Sequence, residues 1–120
     1  MNRRVFLLAL AVMLSAPCIA HAHAMLVSSS PAVGASVASA PAAITLAFTQ
    51  PVDAARCTIE LDAENGDRIR LGQPATSGDG SVLSAPISGA LSAGGYRVLW
   101  HATNHEGHQT SGDFEFRVTG

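Results

Sequence analysis

The sequence contains few charged residues, few aromatic residues and little cysteine. Charged side chains make up 13% of the 120 residues, aromatic side chains 5%, and there are two cysteines. Cys18 falls in an N-terminal apolar segment, so the remaining chain keeps only Cys57, which excludes a disulfide framework. Cys57 precedes an alternating segment, where a buried small side chain is expected. Stability must therefore come from the packing of apolar side chains.

Positive charge is also scarce. Residues 23–120 hold five basic residues, all of them arginine, against nine acidic residues. The net charge of this part is −4 with histidine neutral. An acidic chain without a basic patch argues against nucleic acid as a partner.

The first 22 residues have the three regions of a secretory signal peptide. Arg3 and Arg4 precede an apolar run over residues 5–14, and small residues follow over 15–22. That run is too short to span a bilayer as a mature helix. We therefore expect residues 1–22 to be removed and residues 23–120 to form one exported domain that is not embedded in the membrane.

Beyond residue 22 the sequence consists of short alternating segments separated by turn residues. The predicted strands cover residues 25–29, 44–49, 57–61, 69–71, 82–83, 96–100 and 114–118. Asn65-Gly66 is a hairpin signal, residues 73–80 are expected to be a loop, and Tyr96 resembles a tyrosine corner. About seven strands and no helical period predict a single immunoglobulin-like or cupredoxin-like Greek-key β-sandwich or barrel.

Histidine supplies the candidate chemistry. A cut after Ala22 would leave His23 with a free amine beside its imidazole, and the two nitrogens can chelate one metal ion. Glu106 and His108, two positions apart, could add a carboxylate oxygen and a second imidazole. This set of nitrogen and oxygen donors suits Cu(II). The plain alternative is that Glu106-Gly107 is a turn and that the histidines are solvated side chains.

Several segments from residue 23 onward together form a recognisable pattern: His23-Ala24, residues 26–32 with Gly34, residues 46–48 with Pro51-Val52, residues 95–100, and His108 with Ser111-Gly112 and residues 114–118. This pattern resembles that of the CopC family of periplasmic copper resistance and homeostasis proteins. The resemblance implies an immunoglobulin-like β-barrel in the periplasm that binds one Cu(II) per chain. The implied ligands are the His23 amine and imidazole, His108 and Glu106, and the implied partner is a CopD-type inner-membrane copper transporter.

Three positions depart from the family pattern. Glu106 stands where the family usually has Asp, and its longer side chain holds a metal less rigidly. Gln50 stands where relatives often carry a Glu that orients the terminal amine. Met25 is the only methionine after the predicted cut, so no thioether site for Cu(I) is expected. His105, next to Glu106, is a further candidate for a ligand or for a group that supports one.

Other functions remain open from the sequence. A cut after Ala20 would expose His21-Ala22-His23, a tripeptide that can bind Cu(II) without Glu106 or His108, and a cut after Ala24 would remove His23. Copper oxygenases that cleave polysaccharides also use a terminal histidine. This chain has no long loops to form a polysaccharide-binding face, and its single tyrosine is placed at a structural corner, so catalysis is not expected. An immunoglobulin-like interaction module without a metal is a third alternative. We expect a non-enzymatic periplasmic Cu(II) carrier or buffer.

Overall fold

The computed structural model describes residues 23–120, so the predicted signal peptide lies outside the described residues. The strands are β1 (Leu26–Ser30), β2 (Ser36–Val37), β3 (Ala43–Phe48), β4 (Thr58–Ala63), β5 (Arg68–Ile69), β6 (Ala75–Ser77), β7 (Val82–Pro86), β8 (Gly94–Thr103) and β9 (Gln109–Val118). A single 3₁₀ turn, Ala54–Arg56, is the only helical element of residues 23–120. This part of the chain has no helix long and apolar enough to cross a membrane.

The strands form two sheets, one in the order β1-β3-β7-β6 and the other in the order β2-β9-β8-β4-β5. Strand β2 joins β9 in parallel, and the other pairs are antiparallel. The prediction of an all-β sandwich is confirmed. The predicted count of about seven strands was too low, because β2 and β6 were missed.

Strand β6 corrects the prediction of a loop over residues 73–80. All three of its residues are exposed, so its sequence has no apolar alternation to reveal it. Its backbone pairs with β7 from Ala75 opposite Ser84 to Ser77 opposite Val82. A short, polar edge strand of this kind is held by its neighbour rather than by its own pattern.

The core lies between the two sheets and follows the alternation of the sequence. In β3, Ile44, Leu46 and Phe48 are buried, while the residues between them are only partly buried. Leu61 and Val98 of the other sheet are fully buried as well. Burial of one such side chain contributes about 1.5–3 kcal/mol, so this apolar layer stabilises a chain that has no disulfide among its described residues.

The tyrosine corner predicted at Tyr96 is present. The Tyr96 hydroxyl donates a hydrogen bond to the backbone carbonyl of Ser92 at 2.6 Å. The Tyr96 ring stacks on Phe116 with 5.5 Å between ring centroids. This contact fixes the entry into β8, the strand that leads to the candidate site.

Cys57 is buried, as predicted, with 6% of its surface exposed. Its thiol donates to the Asp53 carbonyl at 3.1 Å, and its sulfur accepts from the Thr103 N–H at 3.4 Å. Burial raises the pKa of the Cys57 thiol. Cys57 is therefore a protonated packing residue below the C-terminal end of β8.

Candidate metal centre

The candidate site lies at the tip of the long β8-β9 hairpin. The two strands pair from Gly94 opposite Val118 to Thr103 opposite Gln109, and residues 104–108 connect them. The Asn104 N–H donates to the His108 carbonyl at 3.0 Å, and the Gly107 N–H donates to the Asn104 carbonyl at 3.0 Å. Gly107 has φ +89°, a conformation that favours glycine, so a tight turn presents His108 at its end.

The N-terminal segment is held beside this hairpin. Ala24 is buried, with 1% of its surface exposed, and its carbonyl accepts a hydrogen bond from the Thr110 hydroxyl at 2.8 Å. Met25 exchanges two bonds with Thr49: its N–H donates to Thr49 Oγ1 at 3.0 Å, and its carbonyl accepts from the Thr49 N–H at 2.9 Å. These contacts fix the backbone on the C-terminal side of His23.

The two histidines predicted as ligands come together. The ring centroids of His23 and His108 are 5.1 Å apart, with 38° between the ring planes, and both residues are exposed. A metal–nitrogen bond of about 2 Å puts a ring centroid on the order of 3 Å from the ion. Two rings at the observed separation are therefore close enough to share one ion.

Glu106 does not complete a ready-made cluster with these rings. Within residues 23–120, no group of three or more His, Cys, Asp or Glu side chains is arranged to hold a metal ion. Glu106 is exposed in the turn, and its N–H donates to Asn104 Oδ1 at 3.0 Å. Its role as a ligand stays a prediction that requires its side chain to turn toward the imidazole pair.

His105 and His101 occupy different surroundings. His105 is exposed and lies near Asp53, whose pKa is held below its usual range chiefly by a hydrogen bond from Arg56, with a small contribution from the His105 charge. His101 is half-buried in β8, opposite Thr58 of β4. The structure gives neither residue a ring contact with the imidazole pair of the kind that joins His23 to His108.

Asn104 is the residue of the site that the sequence analysis missed. Its side chain is buried, with 1% of the residue exposed. Its Oδ1 accepts from the N–H groups of Glu106 at 3.0 Å and His108 at 2.9 Å, and its Nδ2 donates to Gln50 Oε1 at 3.0 Å. An asparagine at a strand end, three positions before a glycine, is a turn signal that could have indicated it.

The chemistry of the available donors fits a borderline metal ion. Imidazole nitrogens and a carboxylate oxygen suit Cu(II), whereas soft sulfur donors select Cu(I). Cys57 is buried and bonded to backbone groups below the site, and its pKa is raised by burial. The donors that the structure brings together are therefore the imidazole nitrogens of His23 and His108, and the Cys57 sulfur is not among them.

Fold and site together define a small two-sheet β-sandwich with an exposed imidazole pair at one end. A family model described as the CopC domain matches residues 26–119, and the chain belongs to the CopC family. The family resemblance predicted from the sequence is thereby confirmed.

Named relatives and a solved structure agree with this assignment. Protein YobA of Escherichia coli (strain K12) is 34% identical over 98 residues, which cover 81% of this chain and 79% of YobA. Copper resistance protein C of Pseudomonas syringae pv. tomato is 32% identical over 124 residues, with 98% of each chain covered. The crystal structure of CopC from Methylosinus trichosporium OB3b superposes with a TM-score of 0.75 at 26% identity, covering 81% of this chain and 94% of that one.

Proposed function

We propose that this protein is a periplasmic Cu(II) carrier or buffer in copper homeostasis or resistance that holds one Cu(II) per chain. The observation that carries the proposal is the His23–His108 pair, with ring centroids 5.1 Å apart on the exposed end of the sandwich. Membership of the CopC family and the relative named Copper resistance protein C support copper as the ion. The domain that does this is residues 23–120, after removal of residues 1–22.

The proposed ligands are His23, His108 and Glu106. In the full chain the backbone nitrogen of His23 is an amide, which is a poor ligand until it loses its proton. Cleavage after Ala22 turns it into an amine that can chelate together with the imidazole. Two imidazoles, one amine and one carboxylate oxygen would then form a tetragonal set suited to Cu(II).

The proposed role is binding and transfer rather than catalysis. Both candidate imidazoles are exposed, so an ion held by them can be passed to another protein without unfolding the domain. The proposed recipient is a CopD-type transporter of the inner membrane. A relative named Copper transport protein CutJ, from Bacillus subtilis (strain 168), matches this chain over 22% of its own length, so a domain of this type also occurs within a longer transport protein.

Native mass spectrometry of protein exported to the periplasm tests this function. One equivalent of Cu(II) should give a species that begins at His23 and carries one copper. His108→Ala should weaken binding by at least about tenfold, since one of the strong nitrogen ligands is lost. His101→Ala, which removes an imidazole of β8 outside the pair, is the matched control and should bind as the wild type does.

Two outcomes would redirect the proposal. A protein that begins at His21 and binds Cu(II) equally well with and without His108 would place the site on the terminal tripeptide. A protein that retains no copper, whichever residue the signal-peptidase cut leaves at its N-terminus, would instead support the alternative of an interaction module without a metal.

A further inference from the structure

We infer that Asn104 is a positioning residue that sets the geometry of the metal-binding turn through its side-chain amide and joins that turn to Gln50. This inference rests on the proposed function, because it assigns a role in copper binding to a residue that is not itself a ligand. Its starting point is a contrast in exposure. Residues 105–108 are exposed, whereas Asn104 is 1% exposed directly beneath them.

The Asn104 carbonyl oxygen holds the backbone of both candidate ligands in the turn. Oδ1 accepts from the N–H of Glu106 at 3.0 Å and from the N–H of His108 at 2.9 Å. A single side-chain atom therefore fixes the two peptide planes that lead into these side chains. Without that acceptor, the two N–H groups would have to donate to water instead. The turn would then be less restrained and would adopt a wider range of conformations.

The amide nitrogen connects the turn to the segment that follows β3 of the other sheet. Asn104 Nδ2 donates to Gln50 Oε1 at 3.0 Å. Gln50 follows the Thr49 that pairs with Met25, so the same short segment is bonded to the backbone just after His23 and to the turn that carries His108. The amide pair is thus a physical link between the two ends of the chain that supply the imidazoles.

The backbone of Asn104 is held from a third side. Arg56 Nη2 donates to the Asn104 carbonyl at 3.3 Å, and the Thr103 hydroxyl donates to the Arg56 carbonyl at 2.9 Å. The Asp53 N–H donates to the Thr103 carbonyl at 2.8 Å. The segment between Gln50 and Arg56 therefore forms a frame in which Asn104 is fixed before any metal binds.

The hydrogen bonds required at position 104 explain why an asparagine stands there. The side chain must accept two hydrogen bonds on one side and donate one on the other, and a neutral amide does both. A leucine of similar size offers neither function. An aspartate keeps the acceptor, and the Gln50 amide can turn to donate to it, although a buried charge carries a desolvation cost.

Binding and electron paramagnetic resonance spectra of a chain that begins at His23 test the positioning role. Asn104→Leu should weaken Cu(II) binding roughly tenfold to a hundredfold and change the Cu(II) spectrum, because supporting groups around a metal site typically have effects of this size. Asn104→Asp should restore the wild-type spectrum. The matched control is Asn65→Leu, since Asn65 Oδ1 accepts from the Asp67 N–H at 2.9 Å in a turn at another hairpin.

Amide hydrogen exchange of the metal-free wild type provides a second, independent readout. The N–H groups of Glu106 and His108 should be protected although both residues are exposed. Exchange of both at the rate of an unstructured peptide would overturn the inference, even if Asn104→Leu does not fold. A folded Asn104→Leu protein with unchanged affinity and spectrum would also overturn it. Protected amides in a wild type that binds no Cu(II) would instead contradict the proposed function and leave the turn geometry intact.

Discussion

The hydroxyl of Thr110 donates a hydrogen bond to the backbone carbonyl of Ala24 at 2.8 Å, joining residues 86 positions apart in the chain. Ala24 directly follows His23, and Thr110 lies two residues after His108. The bond therefore ties together the backbones on which the two candidate imidazoles are mounted. Neither Thr110 nor Ala24 is a proposed ligand, so the bond can form before a metal binds and prepare the site in advance.

Replacing Thr110 with valine should weaken Cu(II) binding without unfolding the domain. Valine keeps the shape but removes the donor, and a typical hydrogen bond contributes about 0.5–1.5 kcal/mol, or roughly a twofold to tenfold change in affinity. Competition titration against a Cu(II) chelator measures the effect. Thr119→Val is the control, because the Thr119 hydroxyl donates to the Val37 carbonyl at 3.2 Å away from the site. Equal Cu(II) affinities for the two variants would show that the hydrogen bond between Thr110 and Ala24 does not contribute to Cu(II) binding.

Gly112 is expected to tolerate no side chain. A Cβ at this position would lie 2.7 Å from Cζ2 of Trp100, whose ring packs edge to face on Phe48 with 5.4 Å between centroids. Gly112→Ala should therefore displace the indole and cost about 1–3 kcal/mol of unfolding free energy. Urea unfolding followed by tryptophan fluorescence measures this directly, since Trp100 is the one tryptophan of the chain.

The neighbouring substitution Ser111→Ala provides the control for Gly112→Ala. Ser111 is exposed in the same strand, so its loss should change the unfolding free energy little. Similar stability for both variants, with unchanged fluorescence, would mean that the indole moves aside at no cost.

Cys57 should make stability fall at alkaline pH. Burial raises the pKa of its thiol in the folded protein, so the folded state holds this proton more tightly than the unfolded state does. The stabilisation is complete below the ordinary thiol pKa of about 8.5 and is lost as the pH rises from there through the raised folded pKa. Urea unfolding of a chain that begins at His23, at pH 7 and at pH 10, measures this loss.

Cys57→Ser is the comparison for this pH dependence. Serine keeps a donor for the Asp53 carbonyl but does not titrate in this range. The variant should therefore lose less stability between pH 7 and pH 10 than the wild type. An equal loss in both proteins would assign the alkaline instability to other groups.

The strands that supply the core could be predicted because apolar and polar residues alternate along them in the sequence. Residues 44–49 and 114–118 place an apolar side chain at every second position, and the structure buries Ile44, Leu46, Phe114 and Phe116 accordingly. Strands β2 and β6 could not be predicted in this way. They are two and three residues long and are held by backbone pairing, β2 to the distant strand β9 and β6 to the next strand, β7.

The sequence alone determined the all-β class, the tyrosine corner at Tyr96, the burial of Cys57 and the family, because each depends on local pattern or on residue identity. The sequence also indicated His23 and His108 as a pair of candidate metal ligands, because both carry an imidazole. Only the tertiary structure decided that these rings lie 5.1 Å apart and that Asn104 connects their surroundings through Gln50. Such contacts depend on how two sheets pack and on how a hairpin turns, and a single buried amide has no periodic signature in the sequence from which its partners could be inferred.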